Sequence, residues 1–181
     1  FTGGFMAVQG LWVARWMTVM EGLDGAAIAA RLTWMSGAML GGFLFMGFFA
    51  TALVRRGIKL ERVYVVAMVM AIAILLFITV APTAGSNWLW PVLGACFSLS
   101  NVSYSLVAQT FPPALSGRAN TALNLLVFLG AFGLQWGIGI LVDALQTQGW
   151  ASDAAFRAAF FTLLGGQLLA LLWMVRPGRQ V

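Results

Sequence analysis

Six apolar runs, each long enough to cross a bilayer, divide this chain from end to end. They cover about Gly3–Met20, Ala26–Val54, Val63–Ala81, Trp88–Thr110, Ala119–Ala144 and Ala154–Val175. A helix needs about 20 apolar residues to traverse the hydrocarbon core, so each run is long enough or nearly so. The breaks carry turn chemistry: EGLDG, RRGIKLER, APTAGSN, FPPALSGR, QTQGWASD and RPGRQV. Barrel strands would need alternation of apolar and polar residues, and these runs are continuous, which leaves helices as the spanning form. The chain is 61% hydrophobic and 8% charged. Soluble domains sit near 45–50% and 25%, so no water-soluble fold of this size could hide this much apolar surface. The expected fold class is an all-α membrane protein of six transmembrane helices.

Positive charge orients the crossings. Arg55, Arg56, Lys59 and Arg62 lie between the second and third runs, Arg118 between the fourth and fifth, and Arg176 and Arg179 in the tail. All three regions fall on one side of a six-span chain. The other side holds Arg31 and Arg157 beside Glu21, Asp24, Asp143 and Asp153. The positive-inside rule then places both ends in the cytoplasm, with a bacterial inner membrane as the expected location. The net charge of +5 forms no sustained basic patch, so no nucleic-acid partner is expected. The chain opens on Phe1, and its first residues lack the charged region of a signal peptide, so the expectation is a piece of a longer protein.

The same inventory argues against an enzyme. There is no histidine, and Cys96 is the single cysteine, so neither a disulfide within the chain nor a cysteine–histidine metal site is expected. Ser116-Gly117 suggests a serine nucleophile, but no His, Lys or acid inside a span stands ready to activate it. No cofactor is expected. A channel would show a filter sequence or a ring of like charges, and neither is visible.

Shifting the chain by about 92 residues lays runs one to three over runs four to six without a gap. Phe5 meets Phe97, Gln9 meets Asn101, Trp12 meets Tyr104, Gly41 meets Gly133, Gly57 meets Gly149 and Glu61 meets Asp153. About 13 identities arise where this composition gives about 8 by chance. The expected units are about 1–86 and 87–181. Each has three spans, so the second enters the membrane inverted, an arrangement typical of secondary transporters.

The stretches GLWVARWM (Gly10–Met17), GFFATALVRRGI (Gly47–Ile58) and SGRANTALN (Ser116–Asn124), with the span count, orientation and repeat, resemble the C-terminal half of a major facilitator superfamily transporter. The second stretch is similar to a degenerate copy of that family's cytoplasmic motif, with Thr51 near the place of its usual acid. The resemblance implies a permease moving a small solute by alternating access, with spans one, two, four and five around a central cavity and spans three and six outside. It also implies an N-terminal six-helix half as partner; made alone, the chain is expected to pair with a second copy. The alternative is a six-span scaffold or channel that transports nothing.

Polar residues inside spans face water, solute or another helix. On span one Gln9 and Trp16 share a face, with Trp12 between them and Arg15. On span four Ser98, Asn101, Ser105 and Gln109 share one, with Tyr104 at its edge. On span five Asn120, Asn124 and Gln135 do. The substrate-cavity candidates are Gln9, Trp12, Arg15, Trp16, Asn101, Tyr104, Ser105, Asn124 and Gln135, whereas Ser100 and Ser103 read as helix packing. Arg15 has open readings: it holds an anionic group of the solute, or it reaches the outer interface, or it pairs with Glu21 or Asp24. Gly37 with Gly41, and Gly133 with Gly137, are small-xxx-small pairs suited to close helix approach, towards the other half or inside this one. Arg55, Arg56 and Arg118 mark the cytoplasmic loops. No acid lies at mid-depth, so coupling to protons or another ion is left to residues outside the chain.

Overall fold

A computed structural model describes residues 1–81 and 86–176. Four residues of the APTAGSN break, Pro82 to Gly85, and the tail from Pro177, with Arg179, lie outside the described residues. Among those described, the fold is helical without strands. The first crossing is built from α1 (Thr2–Ala7), one π-helical turn (Val8–Trp12) and α2 (Val13–Glu21). The others are α3 (Gly25–Arg55), α4 (Leu60–Val80), α5 (Ser86–Ser100) continued by α6 (Val102–Thr110), α7 (Pro113–Thr147) and α8 (Ser152–Val175). Five lengths are long and apolar enough to cross a bilayer: Gly25–Arg55, Leu60–Val80, Asn87–Thr110, Pro113–Thr147 and Ser152–Val175. Their outward residues are large and apolar, including Trp34, Phe48, Leu126, Phe132, Trp136 and Leu169, all well exposed. Such a surface is costly in water and at home in lipid, as in a multi-pass membrane protein.

The helix ends follow local chemistry. Asp24 stands before α3 in extended conformation and its carboxylate accepts the Ala27 N–H at 2.8 Å. At the far end of α3, Gly57 takes φ +79°, and the Ile58 N–H closes back onto the Leu53 carbonyl at 3.0 Å. At the far end of α7, Gly149 takes φ +88°, and the Trp150 N–H closes onto the Leu145 carbonyl at 3.1 Å. Both are the glycine-terminated closure in which a left-handed residue turns the chain out of a helix. One expectation needs correction. The fifth crossing does not begin near Ala119; it begins at Pro113. Phe111 and Pro112 are extended, and proline is favoured at the first helical position because its missing N–H would have no partner there. Ser116 sits inside the first turn, donating to the Pro113 carbonyl at 2.9 Å.

α3 packs along α5 more extensively than any other pair of helices, and α7 packs along the short α1. Glycine permits both of these contacts. A Cβ on Gly42 would stand 2.7 Å from the Ser98 Cβ, and one on Gly94 would stand 2.9 Å from the Met35 carbonyl oxygen. A Cβ on Gly3 would stand 2.6 Å from the Val127 carbonyl oxygen. α4 lies against α5 and α8. Arg157, near the start of α8, donates to the Thr79 and Val80 carbonyls that end α4, at 3.2 and 3.0 Å. The core between the crossings stacks Phe5 on Phe97 and Trp16 on Phe160, with ring centroids 4.2 and 4.3 Å apart. At the end where the first crossing finishes, the Glu21 carboxylate pairs with Arg31 and accepts the Trp90 Nε1–H at 3.3 Å. The side chain of Glu21 is only 3% exposed, so this ion pair ties α2, α3 and α5 together away from solvent.

Candidate functional site

The first and fourth crossings are both interrupted near mid-length. In the first, the Val13 N–H reaches back five residues to the Val8 carbonyl, the mark of a π turn. In the fourth, Asn101 leaves the helical ladder: its N–H bonds the Ser98 carbonyl at 3.2 Å and its own carbonyl accepts from Tyr104 at 3.1 Å, both one residue tighter than an α-helix. Gln9 lies within the first interruption and Asn101 forms the second. Nothing in the composition announced either break. The signal available was two amide side chains in mid-span at matching positions of the repeat.

Polar side chains gather around these breaks. The Gln9 amide donates to the Met39 sulfur of α3 at 2.9 Å. The Trp12 indole N–H donates to the Gln135 carbonyl of α7 at 3.3 Å, and its ring meets Phe156 edge-on with centroids 5.8 Å apart. The Gln135 amide lies beside Gly10, 3.0 Å from where a Cβ would stand. The Tyr104 hydroxyl donates to the Asn124 side chain of α7 at 2.9 Å. Asn101 is half-buried and its amide bonds the Phe97 carbonyl of its own helix at 3.3 Å. Ser105 and Gln109 are exposed on the same helix. Gln9, Trp12, Asn101, Tyr104, Asn124 and Gln135 therefore line the first crossing, α6 and α7, partly engaged with one another and partly open.

Two residues leave this group. Trp16 shares no open face with Gln9: the π turn changes the register, and its ring is fully buried against Phe160 of α8. Its indole N–H has no hydrogen-bond partner among the described residues. Ser98 is also buried, donating to the Met39 carbonyl at 2.7 Å across the α3–α5 contact, so it joins helices. Ser100 does pack, bonding the Phe97 carbonyl in the core, while half-buried Ser103 lines a crevice of about 650 Å³ with Glu61, Tyr64 and Gln109.

Arg15 is exposed and makes no hydrogen bond or ion pair with any described residue. The acids named as its alternatives are occupied, Glu21 by Arg31 and Asp24 by the start of α3. That buried Glu21–Arg31 pair escaped the sequence reading; its signal was opposite charges flanking one turn in a chain with five acids. Gly37, Gly41, Gly133 and Gly137 face open space within this chain, since a Cβ on any of them would meet nothing within 4 Å. The tight glycines are Gly3, Gly42 and Gly94 instead. Arg55 and Arg56 end α3 and are exposed; Arg118 is exposed too, but within the opening turns of α7 and not in a loop. No group of metal-ligating side chains occurs among the described residues. A second crevice, of about 400 Å³ between α1, α7 and α8, is lined mainly by Leu134, Ile138, Leu141 and Leu163 and offers little beyond apolar contact.

No known protein family, curated protein or solved structure matches this chain.

Proposed function

We propose that this chain is a six-span half of a secondary transporter of the major facilitator type, moving a small solute by rocking against a second six-span half. The observation that carries the reading is the recurrence of backbone detail at the shift of about 92 residues that aligns the two parts of the sequence. Leu53 and Ile58 close one helix as Leu145 and Trp150 close another. The next helices begin at the equivalent residues Leu60 and Ser152, and the interruptions fall at the equivalent residues Gln9 and Asn101. The α3–α5 and α7–α1 contacts exchange under the same shift, whereas the α4–α5 contact has no comparable counterpart between α8 and α1. Three crossings per unit make the units antiparallel, and inverted three-helix units with broken helices at the solute site are a recurring design of secondary transporters.

The solute site in this reading is the polar group on the first crossing, α6 and α7. The exposed faces of α3 and α7, with Gly37, Gly41, Gly133 and Gly137 open, are where the other half slides. The bilayer covers the rest, and coupling to protons or another ion falls to the partner half. The test is a solute screen in proteoliposomes with the full-length protein and its Arg15→Ala and Asn101→Ala variants. Uptake that is present in wild type and reduced in the variants supports the assignment. Uptake unchanged in both removes the cavity, and no movement of any solute removes the transporter.

A further inference from the structure

Gln167 stands eight residues, about 12 Å, inside the end of α8, within the apolar length of the last crossing. The residue is 6% exposed, and its amide has no hydrogen bond with any described residue. The buried hydroxyls of Thr79, Ser98 and Ser100 each donate to a backbone carbonyl at 2.7 Å. Gln167 has no such partner. A carboxamide carries two donors and an acceptor, and hydrocarbon satisfies none of them.

This amide lines the crevice of about 400 Å³ between α1, α7 and α8. Thr162 is the other polar side chain on its wall, and its hydroxyl is already spent on the Ala158 carbonyl of its own helix, at 2.9 Å. No charged side chain lines the crevice. Glycines give it room. A Cβ on Gly4 would stand 3.3 Å from the Gln167 amide nitrogen and 3.4 Å from the Leu134 and Leu163 methyls, so the bare backbone of α1 leaves the amide its place. A Cβ on Gly137 of α7 or on Gly166 of α8 would meet nothing within 4 Å, so the space in front of these two helices is open. A concave, mainly apolar wall with one polar group that fixes orientation is the usual make-up of a small-molecule site.

We propose that this crevice binds a neutral, mostly apolar alcohol from the lipid phase, which sets its hydroxyl against the Gln167 amide. Lipid tails can cover the apolar wall, but they offer the amide no hydrogen bond. A hydroxyl both donates and accepts, so it can bond either end of the amide. The rest of the molecule lies against Leu134, Ile138, Leu141 and Leu163. A charged head is selected against, because the setting is hydrocarbon and no counter-charge lines the crevice. The site shares no residue with the polar group around Gln9 and Asn101, and its existence does not rest on the transporter reading.

The experiment is equilibrium binding of tritiated farnesol, a branched apolar alcohol, to the purified full-length protein in nanodiscs, with empty nanodiscs as the blank. Farnesene, the matching hydrocarbon, and farnesylamine, the matching cation, serve as competitors. Farnesol should bind saturably at one site, and both competitors should be weaker by about tenfold, as expected for one lost hydrogen bond. Gln167→Leu should weaken farnesol by about tenfold too. Its ligand-free Tm should not fall, because the variant removes an unpaired buried amide. Gly166→Leu puts a side chain into the open space and should abolish binding; it also decides the matter if Gln167→Leu fails to fold. The proposal is overturned if farnesol shows no saturable binding, if farnesene or farnesylamine competes as well as farnesol, or if either variant binds like wild type.

Discussion

Phe5 and Phe97 stack face to face, their ring centroids 4.2 Å apart and their planes 11° from parallel. They are also equivalent positions under the 92-residue shift. Two equivalent residues can touch only where a symmetry axis passes between them, so this stack is where a two-fold relation between the units would run. Removing either ring should destabilise the bundle, and a double-mutant cycle of Phe5→Ala and Phe97→Ala should give a coupling of about 0.5–1.5 kcal/mol, the range for aromatic pairs. Thermal unfolding in detergent measures it; strict additivity would mean the rings do not interact.

Gly57 and Gly149 hold their helix ends in the left-handed region, where a side chain is strained. Gly57→Ala and Gly149→Ala should each cost about 1–2 kcal/mol, and by similar amounts because the two closures share their hydrogen bonds. Unfolding midpoints of the two variants, compared side by side, check both the size and the equality.

Neighbouring glycines in α3 should behave oppositely. A Cβ on Gly42 would stand 2.7 Å from the Ser98 Cβ, while one on Gly41 would meet nothing. Gly42→Ala should destabilise the isolated chain by about 1–3 kcal/mol through overpacking. Gly41→Ala should leave the isolated chain unchanged and affect only assembly with a second half. Unfolding of the isolated chain separates the two.

The Glu21–Arg31 pair is shielded, with side chains 3% and 18% exposed. Breaking it from one side, by Glu21→Gln or Arg31→Leu, should cost about 3–5 kcal/mol because a buried charge loses its partner. Replacing both by apolar residues of similar volume should recover most of that loss. If each single variant matches wild type in a denaturation series, the pair is not shielded in the membrane-bound protein.

The crossings were legible in the sequence because hydrocarbon imposes one simple demand, a continuous apolar length, and turn residues such as Gly57, Gly149 and Asp24 mark where it stops. Detail inside the crossings was harder to read. Trp16 was expected beside Gln9 because a uniform 100° step puts them on one face, but the π turn at Val8–Trp12 adds an angular slip that no residue type announces. Ser98 looked like part of a polar stripe and proved to be buried, because its place is set by Gly42 on another helix. The start of α7 falls ahead of the apolar run from about Ala119, because Pro113 opens the helix while the sequence is still polar. Pairings between distant segments, Glu21 with Arg31 and Tyr104 with Asn124, follow from packing and have no local signature beyond complementary chemistry.

The central claim is that two equivalent three-helix units cross the membrane in opposite senses, and the loops at Arg56 and Gln148 test it most directly. These are matching residues in the two units, each at the end of its long helix. In a background where Cys96 is replaced by alanine, single cysteines at the two positions are labelled with an impermeant maleimide in sealed vesicles of known orientation. Antiparallel units require that Gln148→Cys reacts in right-side-out vesicles and Arg56→Cys only in inside-out ones. Reaction of both from the same side would contradict the account.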